Sequence, residues 1–395
     1  MNSYWLTIYA DTFLWIKNDK VLAYNSKNGK SVKSIANEQI IKICLKLLEL
    51  KNLYTIEISE YESDKNVNKW VRSLIKIGAA AINKICNADE KPVSFIPHLR
   101  VQYNKAYYQY EHNNGIGGSI INNLHEISIY INGSSYGDQN TYKQTLFPLN
   151  VDYNINTEKM LYFLSGCKNP YLKQINIIGN IFNLNDYSHM INVINKFDVR
   201  ICIYITYNDF VENIDYVNTF KFRNLHFVIL INSELVDMDK KKNIYKYNKQ
   251  FIITNSEEIS NSRITINSRN NIVPYYNIKN IDFFKTHVFT DLNELKNLGL
   301  SKRDIFIRQA LNIHDFGKLT VMPDGKVFAN VSEDALGTID DYAYDIVYKE
   351  FTSGKSWFNI RNQKPCSDCV YQWLCPSPSN YERAIGRPNL CHIKV

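Results

Sequence analysis

An α/β protein in several parts is what the sequence predicts, and three observations carry that expectation. Apolar strand-like runs alternate with helix-length stretches through the middle of the chain, and the first ninety residues alternate and turn like a small α+β unit. Four of the eight cysteines crowd into the last thirty residues. At 395 residues the chain also exceeds one hydrophobic core, since single cores stop growing near ~250–300 residues.

In the N-terminal unit, short strands are expected around 5–9, 12–17, 20–24 and 31–35, with Asn18-Asp19 and Asn28-Gly29 supplying turn chemistry. Two amphipathic helices follow. One places Ile40, Ile41, Cys44, Leu47 and Leu48 on a stripe, and the other, opened by Asn66, places Val67, Val71, Leu74, Ile75 and Gly78 likewise. Residues 54–58 alternate as a strand between them. Cys44 sits on the apolar stripe and reads as core. From about 90 to 123 the pattern weakens, and Pro92, Pro97 and the glycines Gly115, Gly117 and Gly118 mark a linker that packs on something else.

The central strand-like runs fall at 127–131, 175–178, 200–206, 227–231, 251–254 and 264–266, spaced by about twenty-six residues in the middle. Most are separated by room for a helix, as at 186–196. Repeated strand–helix alternation argues for parallel strands covered by helices, hence an α/β barrel or partial barrel. An open doubly wound sheet is the alternative, although no glycine fingerprint follows the first strand. After about 277 the alternation stops. Residues 318–331 read as a hairpin turned by Pro323-Asp324-Gly325, and a helix over 341–352 precedes the cysteines.

Composition narrows the function classes. The net charge of +7 is spread in short runs such as Lys240-Lys241-Lys242 without an aromatic–basic repeat, which reads as solvated faces and not as a nucleic-acid surface. No run reaches the ~18 apolar residues of a membrane span, and Met1 to Trp5 does not begin a signal peptide, so a cytoplasmic protein is expected. In a reducing compartment, crowded cysteines read as a metal site before they read as disulfides.

Those cysteines are Cys366, Cys369, Cys375 and Cys391, spaced Cys-x2-Cys-x5-Cys with a later fourth. Four thiolates suit a tetrahedral zinc or the four irons of a cubane cluster. Zinc sites usually pair two short knuckles. Here one knuckle is joined by two thiols at longer, unequal separations, which favours a 4Fe-4S cluster over the zinc alternative. His392, beside Cys391, is a spare ligand that four thiols do not need.

This segment resembles the SPASM domain, the C-terminal extension of radical SAM enzymes that modify peptides and proteins. A full domain of that family carries two auxiliary clusters. Its Gly-x4-Cys element corresponds here to Gly325 through Asn330, its next cysteine position falls on Ser379, and its upstream cysteine is missing near His314. The resemblance therefore implies one cluster, held by Cys366, Cys369, Cys375 and Cys391. In the barrel, the family's Cys-x3-Cys-x2-Cys stretch after the first strand corresponds to Ser135, Gln139 and Tyr142, and its Gly-Gly-Glu to Gly179-Asn180-Ile181. Ser, Gln and Tyr cannot anchor that cluster, so no S-adenosylmethionine is expected to bind. The first ninety residues resemble the PqqD-like peptide-recognition element, a pattern that a plain winged-helix domain shares.

The chain thus resembles the pseudo-radical-SAM/SPASM proteins of ribosomal peptide maturation systems. The resemblance implies a winged-helix-like α+β domain over 1–90, a linker over 91–123, a degenerate partial (β/α)6 TIM-like barrel over 124–277, and a SPASM-like domain over 278–395. The function so implied is non-catalytic. It is a silent paralogue that binds a precursor peptide leader, an active radical SAM maturase, or both; the alternative is an electron-transfer subunit for that partner. A barrel enzyme using His189, Asp186 or Tyr142 has no motif behind it.

Overall fold

The computed structural model describes residues 3–59, 64–86, 90–98, 104–220, 223–232, 247–261 and 270–393. Turn residues and alternating apolar residues set the N-terminal part. Its strands are β1 (Tyr4–Ile8), β2 (Thr12–Lys17), β3 (Lys20–Asn25) and β4 (Lys30–Ile35), followed by helix α1 (Glu38–Leu48), β5 (Thr55–Ile58), α2 (Lys65–Lys76) and β6 (Ala80–Lys84). Asn18 takes φ 53° in the β2–β3 turn, a left-handed conformation that asparagine tolerates. β2, β3 and β4 form an antiparallel meander, while β1 lies between β5 and β6 in a second antiparallel sheet. β6 has no counterpart in the sequence expectation. Its Ala-Ala-Ile-Asn-Lys run is poor in β-branched residues, and pairing with β1 overrides that weak propensity.

Both helices have side-chain caps. Asn37 accepts from the Ile40 amide, and Asp64 accepts from Asn66 and Val67, so α2 begins before the Asn66 start expected of it. Cys44 is buried, as its stripe predicts. On α2 the buried face is Val67, Trp70, Val71 and Leu74, which corrects the expected stripe. Ile75 is 40% exposed because it lies one helical step past Leu74, and Gly78 falls beyond the helix at φ 67°, where it ends the last turn.

The centre is a nine-stranded sheet. β7 (Glu126–Tyr130), β8 (Gln174–Ile178), β9 (Arg200–Thr206), β10 (Leu225–Asn232), β11 (Asn248–Ile253) and β12 (Asn270–Pro274) run parallel and stand side by side in chain order. Order without reversal belongs to a β/α barrel, whereas a doubly wound sheet reverses at a switch point. Among the described residues the sheet stays open, with β12 at one edge and β15 at the other. The other side of β7 pairs in parallel with β13 (Lys318–Val321), which continues antiparallel into β14 (Lys326–Phe328) and β15 (Gly337–Thr338). The hairpin expected at 318–331 therefore forms, and it extends the barrel sheet as well. The run expected at 264–266 lies outside the described residues, and the sixth parallel strand is β12.

Helices α3 (Asn104–Asn113), α4 (Thr157–Gly166), α5 (Tyr187–Asn195), α6 (Tyr207–Glu212), α7 (Ile214–Val217) and α8 (Ser256–Asn261) precede α9 (Ile281–His287) and α10 (Leu292–Asn297). α11 (Lys302–Ala310), α12 (Ala343–Ser353) and α13 (Asn380–Ile385) follow among the described residues. Alternation along the strands splits the sheet into two faces. Ile127, Ile129, Ile175, Ile177, Ile201 and Ile203 point into the main core, where Met160 of α4, Ile191 of α5 and Val347 of α12 meet them. The expected linker is partly structured: Tyr108 of α3 packs edge-on against Phe351 of α12 at 4.8 Å, and Ile120 and Ile121 join the same core. Its polar, tyrosine-rich helix buries too few residues to show a periodic stripe. No helix among the described residues is long and apolar enough to cross a membrane.

Candidate metal centre and the barrel mouth

Two tight turns carry three of the four C-terminal cysteines. Cys366 opens a 3-10 turn (Cys366–Asp368) and Cys369 closes it, with the Cys369 amide donating to Cys366 O at 3.0 Å. A second 3-10 turn (Gln372–Leu374) leads to Cys375. Cys391 arrives from the chain terminus through a parallel bridge to Thr290, where the Thr290 amide donates to Leu390 O at 3.0 Å. All four thiols are free and half-buried. Among the described residues no three His, Cys, Asp or Glu side chains stand close enough to share one metal ion. The four thiols nonetheless lie within electrostatic reach of one another. Burial pushes Cys366, Cys369 and Cys375 up, the last to about 12, and negative charge on the neighbouring cysteines, Cys391 included, pushes each further. His392 is turned away, its Nε2 2.7 Å from Lys285 O.

Two of the sulfurs have hydrogen-bond donors beside them, which offset part of the cost of burying charge. Arg361 Nη1 approaches Cys366 Sγ at 3.7 Å, and Asn389 Nδ2 approaches Cys391 Sγ at 3.3 Å. Such donors stabilise charge on sulfur. Burial works against the charge on Arg361, but Glu382 at 2.7 Å holds the guanidinium above its ordinary value. The Arg361 side chain also donates to Pro376 O, and Gln372 donates to Arg361 O, so the arginine is fixed from both ends. By donor chemistry, four soft sulfurs with cationic and amide partners match what a polythiolate cluster takes, and these residues would be its ligands, although no three of them stand close enough here to share a single ion.

The positions compared with a first auxiliary cluster are occupied by a polar network. Asn330 Nδ2 donates to Asp315 Oδ1 at 3.1 Å and to Asn380 Oδ1 at 2.8 Å, and Arg383 Nη1 donates to Asp315 Oδ2 at 3.2 Å. Ser379 caps α13 in a capping box with Glu382. Burial keeps the His314 imidazole below its ordinary value, and its amide donates to Asn312 Oδ1 at 2.9 Å. Neutral and paired groups thus fill this region.

At the barrel mouth, the C-terminal ends of β7, β8 and β9 meet on Asp209. Its carboxylate accepts from Ser134 Oγ at 2.6 Å, Asn180 Nδ2 at 3.0 Å and Thr206 Oγ1 at 2.5 Å. This hub was missed in the sequence; polar residues just past consecutive parallel strands were the available signal. Ser135 is exposed beside it. Gly179 adopts φ 127° and comes so close to Asn132 that a Cβ would lie 2.4 Å from Asn132 Oδ1.

The segment from Gly133 to Val151 then crosses the inner face of the sheet. Phe147 packs on Leu230 of β10 and Ile252 of β11, while Leu149 packs on Tyr130 of β7 and Ile178 of β8. Tyr142 meets the Tyr130 ring edge-on at 6.2 Å, and Gln139 donates to Asn150 O. Gln144 exchanges two hydrogen bonds with the Tyr276 backbone, both 2.9 Å, and Gln250 Nε2 donates to Thr145 Oγ1 at 3.0 Å. The loop therefore covers the sheet from β7 to β11 and is tied to the chain just past β12. Asp186, which stands at the N-cap position of α5 and accepts from Thr157 Oγ1 at 3.4 Å, and His189 within that helix are both exposed.

No family model matches the chain, and none of the curated proteins matches it. Among solved structures, the chain is similar to Streptococcus suis SuiB bound to precursor peptide SuiA, at 13% identity and a TM-score of 0.42, over 100% of this chain and 99% of that one. It is also similar to Streptococcus suis SuiB bound to S-adenosylmethionine, at 12% identity and a TM-score of 0.40, over 97% of each chain.

Proposed function

We propose that this chain is a catalytically silent, cytoplasmic member of a peptide-maturation complex. In this reading it binds a precursor peptide leader, an active radical SAM maturase, or both, and holds one auxiliary 4Fe-4S cluster at Cys366, Cys369, Cys375 and Cys391. One observation carries the reading. The loop holding Ser135, Gln139 and Tyr142 has no thiol at the places where the family would anchor its catalytic cluster, and it folds as a plug of Tyr142, Phe147 and Leu149 across the inner face of the sheet. A substrate or cofactor entering the barrel would have to displace it. Peptide capture has a candidate surface in β4, the outer strand of the N-terminal meander, where Ile35 is 78% exposed. An extended segment added there gains main-chain hydrogen bonds.

The test is anaerobic purification with iron, sulfide and zinc analysis, S-adenosylmethionine binding on the same sample, and capture of the neighbouring precursor and maturase. About four irons and four sulfides, no cofactor binding, and capture of either partner are expected. About eight irons or cofactor binding would assign the chemistry to this chain, and failure to capture both partners would end the complex reading.

A second reading, electron transfer to the partner enzyme, is favoured by the place of Cys366. It lines an open groove of about 380 Å3 with Arg361, Arg383 and Arg387, so a centre there would lie near the surface. Under this reading Cys369→Ser abolishes partner turnover while the protein stays folded. An unfolded variant would make the centre a structural staple instead.

A further inference from the structure

We infer that the loop joining Cys369 to Cys375 is the seat on which the N-terminal unit docks, so that filling the metal centre fixes that unit in place. The inference rests on the reading that the four cysteines hold a cluster.

β3 has two apolar faces. Val21 and Ala23 point into the core shared with α1 and α2, whereas Leu22 and Tyr24 point the other way. With Phe13 of β2 they pack on Val370, Tyr371 and Leu374, all buried, and on Leu295, Leu300 and Ile305 from α10 to α11. Cys369 and Cys375 border the same cluster. Polar contacts tie the two sides together. Tyr24 Oη donates to Leu300 O at 2.8 Å, Lys33 Nζ lies 5.5 Å from the Tyr371 ring centre, and Lys302 pairs with Asp11 at 2.8 Å. Gly29, at φ 72°, comes so close to Gly299 that a Cβ would sit 2.9 Å from its Cα.

The seat itself has little regular structure. Between its bounding cysteines the loop holds one three-residue 3-10 turn, and Arg308 donates to Leu374 O at its far end. Holding both ends on one centre restricts the loop to the conformation that presents Val370, Tyr371 and Leu374. Releasing them returns conformational freedom to the loop and loosens the seat. The core of the N-terminal unit around Tyr54 and Trp70 is a separate cluster, so the unit can undock without unfolding.

Hydroxyl-radical footprinting of the full-length protein, as purified anaerobically and after iron removal by a chelator, tests this. Tyr24 labelling is expected to rise at least fivefold on iron loss, while Tyr54 and Tyr130 stay protected. Tyr371→Ala, with iron content unchanged, is expected to raise Tyr24 labelling without any chelator. Unchanged Tyr24 labelling after iron loss would overturn the coupling, as would a parallel rise at Tyr54, which reports unfolding. Protein that carries no iron and sulfide as purified would overturn the cluster reading, and the proposal with it.

Discussion

Arg361 and Glu382 face each other at 2.7 Å with side chains 10% and 4% exposed, so neither charge has water to fall back on. Removing one partner of such a pair strands the other. Arg361→Leu is expected to destabilise the protein by about 3–5 kcal/mol in denaturant titration, and the double change with Glu382→Leu to recover part of that loss. Glu350 is a different case. Burial pushes its carboxyl up, and its Oε1 accepts from the Ser356 and Trp357 amides at 3.0 and 2.8 Å. The folded carboxyl therefore holds its proton more tightly than the unfolded one. That contribution to stability is complete below the ordinary value of 4.5 and is lost as pH rises through the elevated folded value. Glu350→Gln keeps the accepting oxygen and removes the titration. Its thermal midpoint is expected to gain on the wild type as pH rises, and a constant difference across the range would refute this. Cys44 could be placed in the core from its stripe, but Arg361 and Glu382 could not be paired, because twenty-one positions separate them and neither lies in a periodic pattern.

Among the elements, the crossing loop from Gly133 to Val151 departs furthest from what periodicity reveals. It contains one short 3-10 turn and no strand, yet it buries Phe147 to 3% exposure against β10 and β11. Phe147→Ala is expected to cost about 3–5 kcal/mol and to increase binding of a hydrophobic dye as the inner face opens. A variant of wild-type stability that binds no more dye would show that the loop does not hold the sheet closed. The strands beneath it were far easier to see, since five of the six expected runs coincide with β7 to β11. Their isoleucine-rich alternation survives in any register that keeps one face on the helices. β6 and α3 escaped notice for the converse reason: neither carries enough apolar residues to mark a face.

At the scale of the whole molecule, the N-terminal unit and the cysteine-bearing end share one apolar cluster although 276 positions separate Tyr24 from Leu300. Tyr24→Phe removes a single hydrogen bond across that contact and is expected to cost about 0.5–1.5 kcal/mol, read as a lower denaturation midpoint. A larger loss would mean that the hydroxyl does more than bridge to Leu300. The strand–helix alternation, the N-terminal strands and turns, and the crowding of four cysteines near the end are legible in the sequence alone, because each depends on residues near one another in the chain. The order of the parallel strands, the Asp209 hub, the plug over the inner face and the docking of β2 and β3 on the cysteine loop emerge from long-range packing alone. Those depend on which distant surfaces bury one another, and local periodicity records that a face is apolar without recording what covers it.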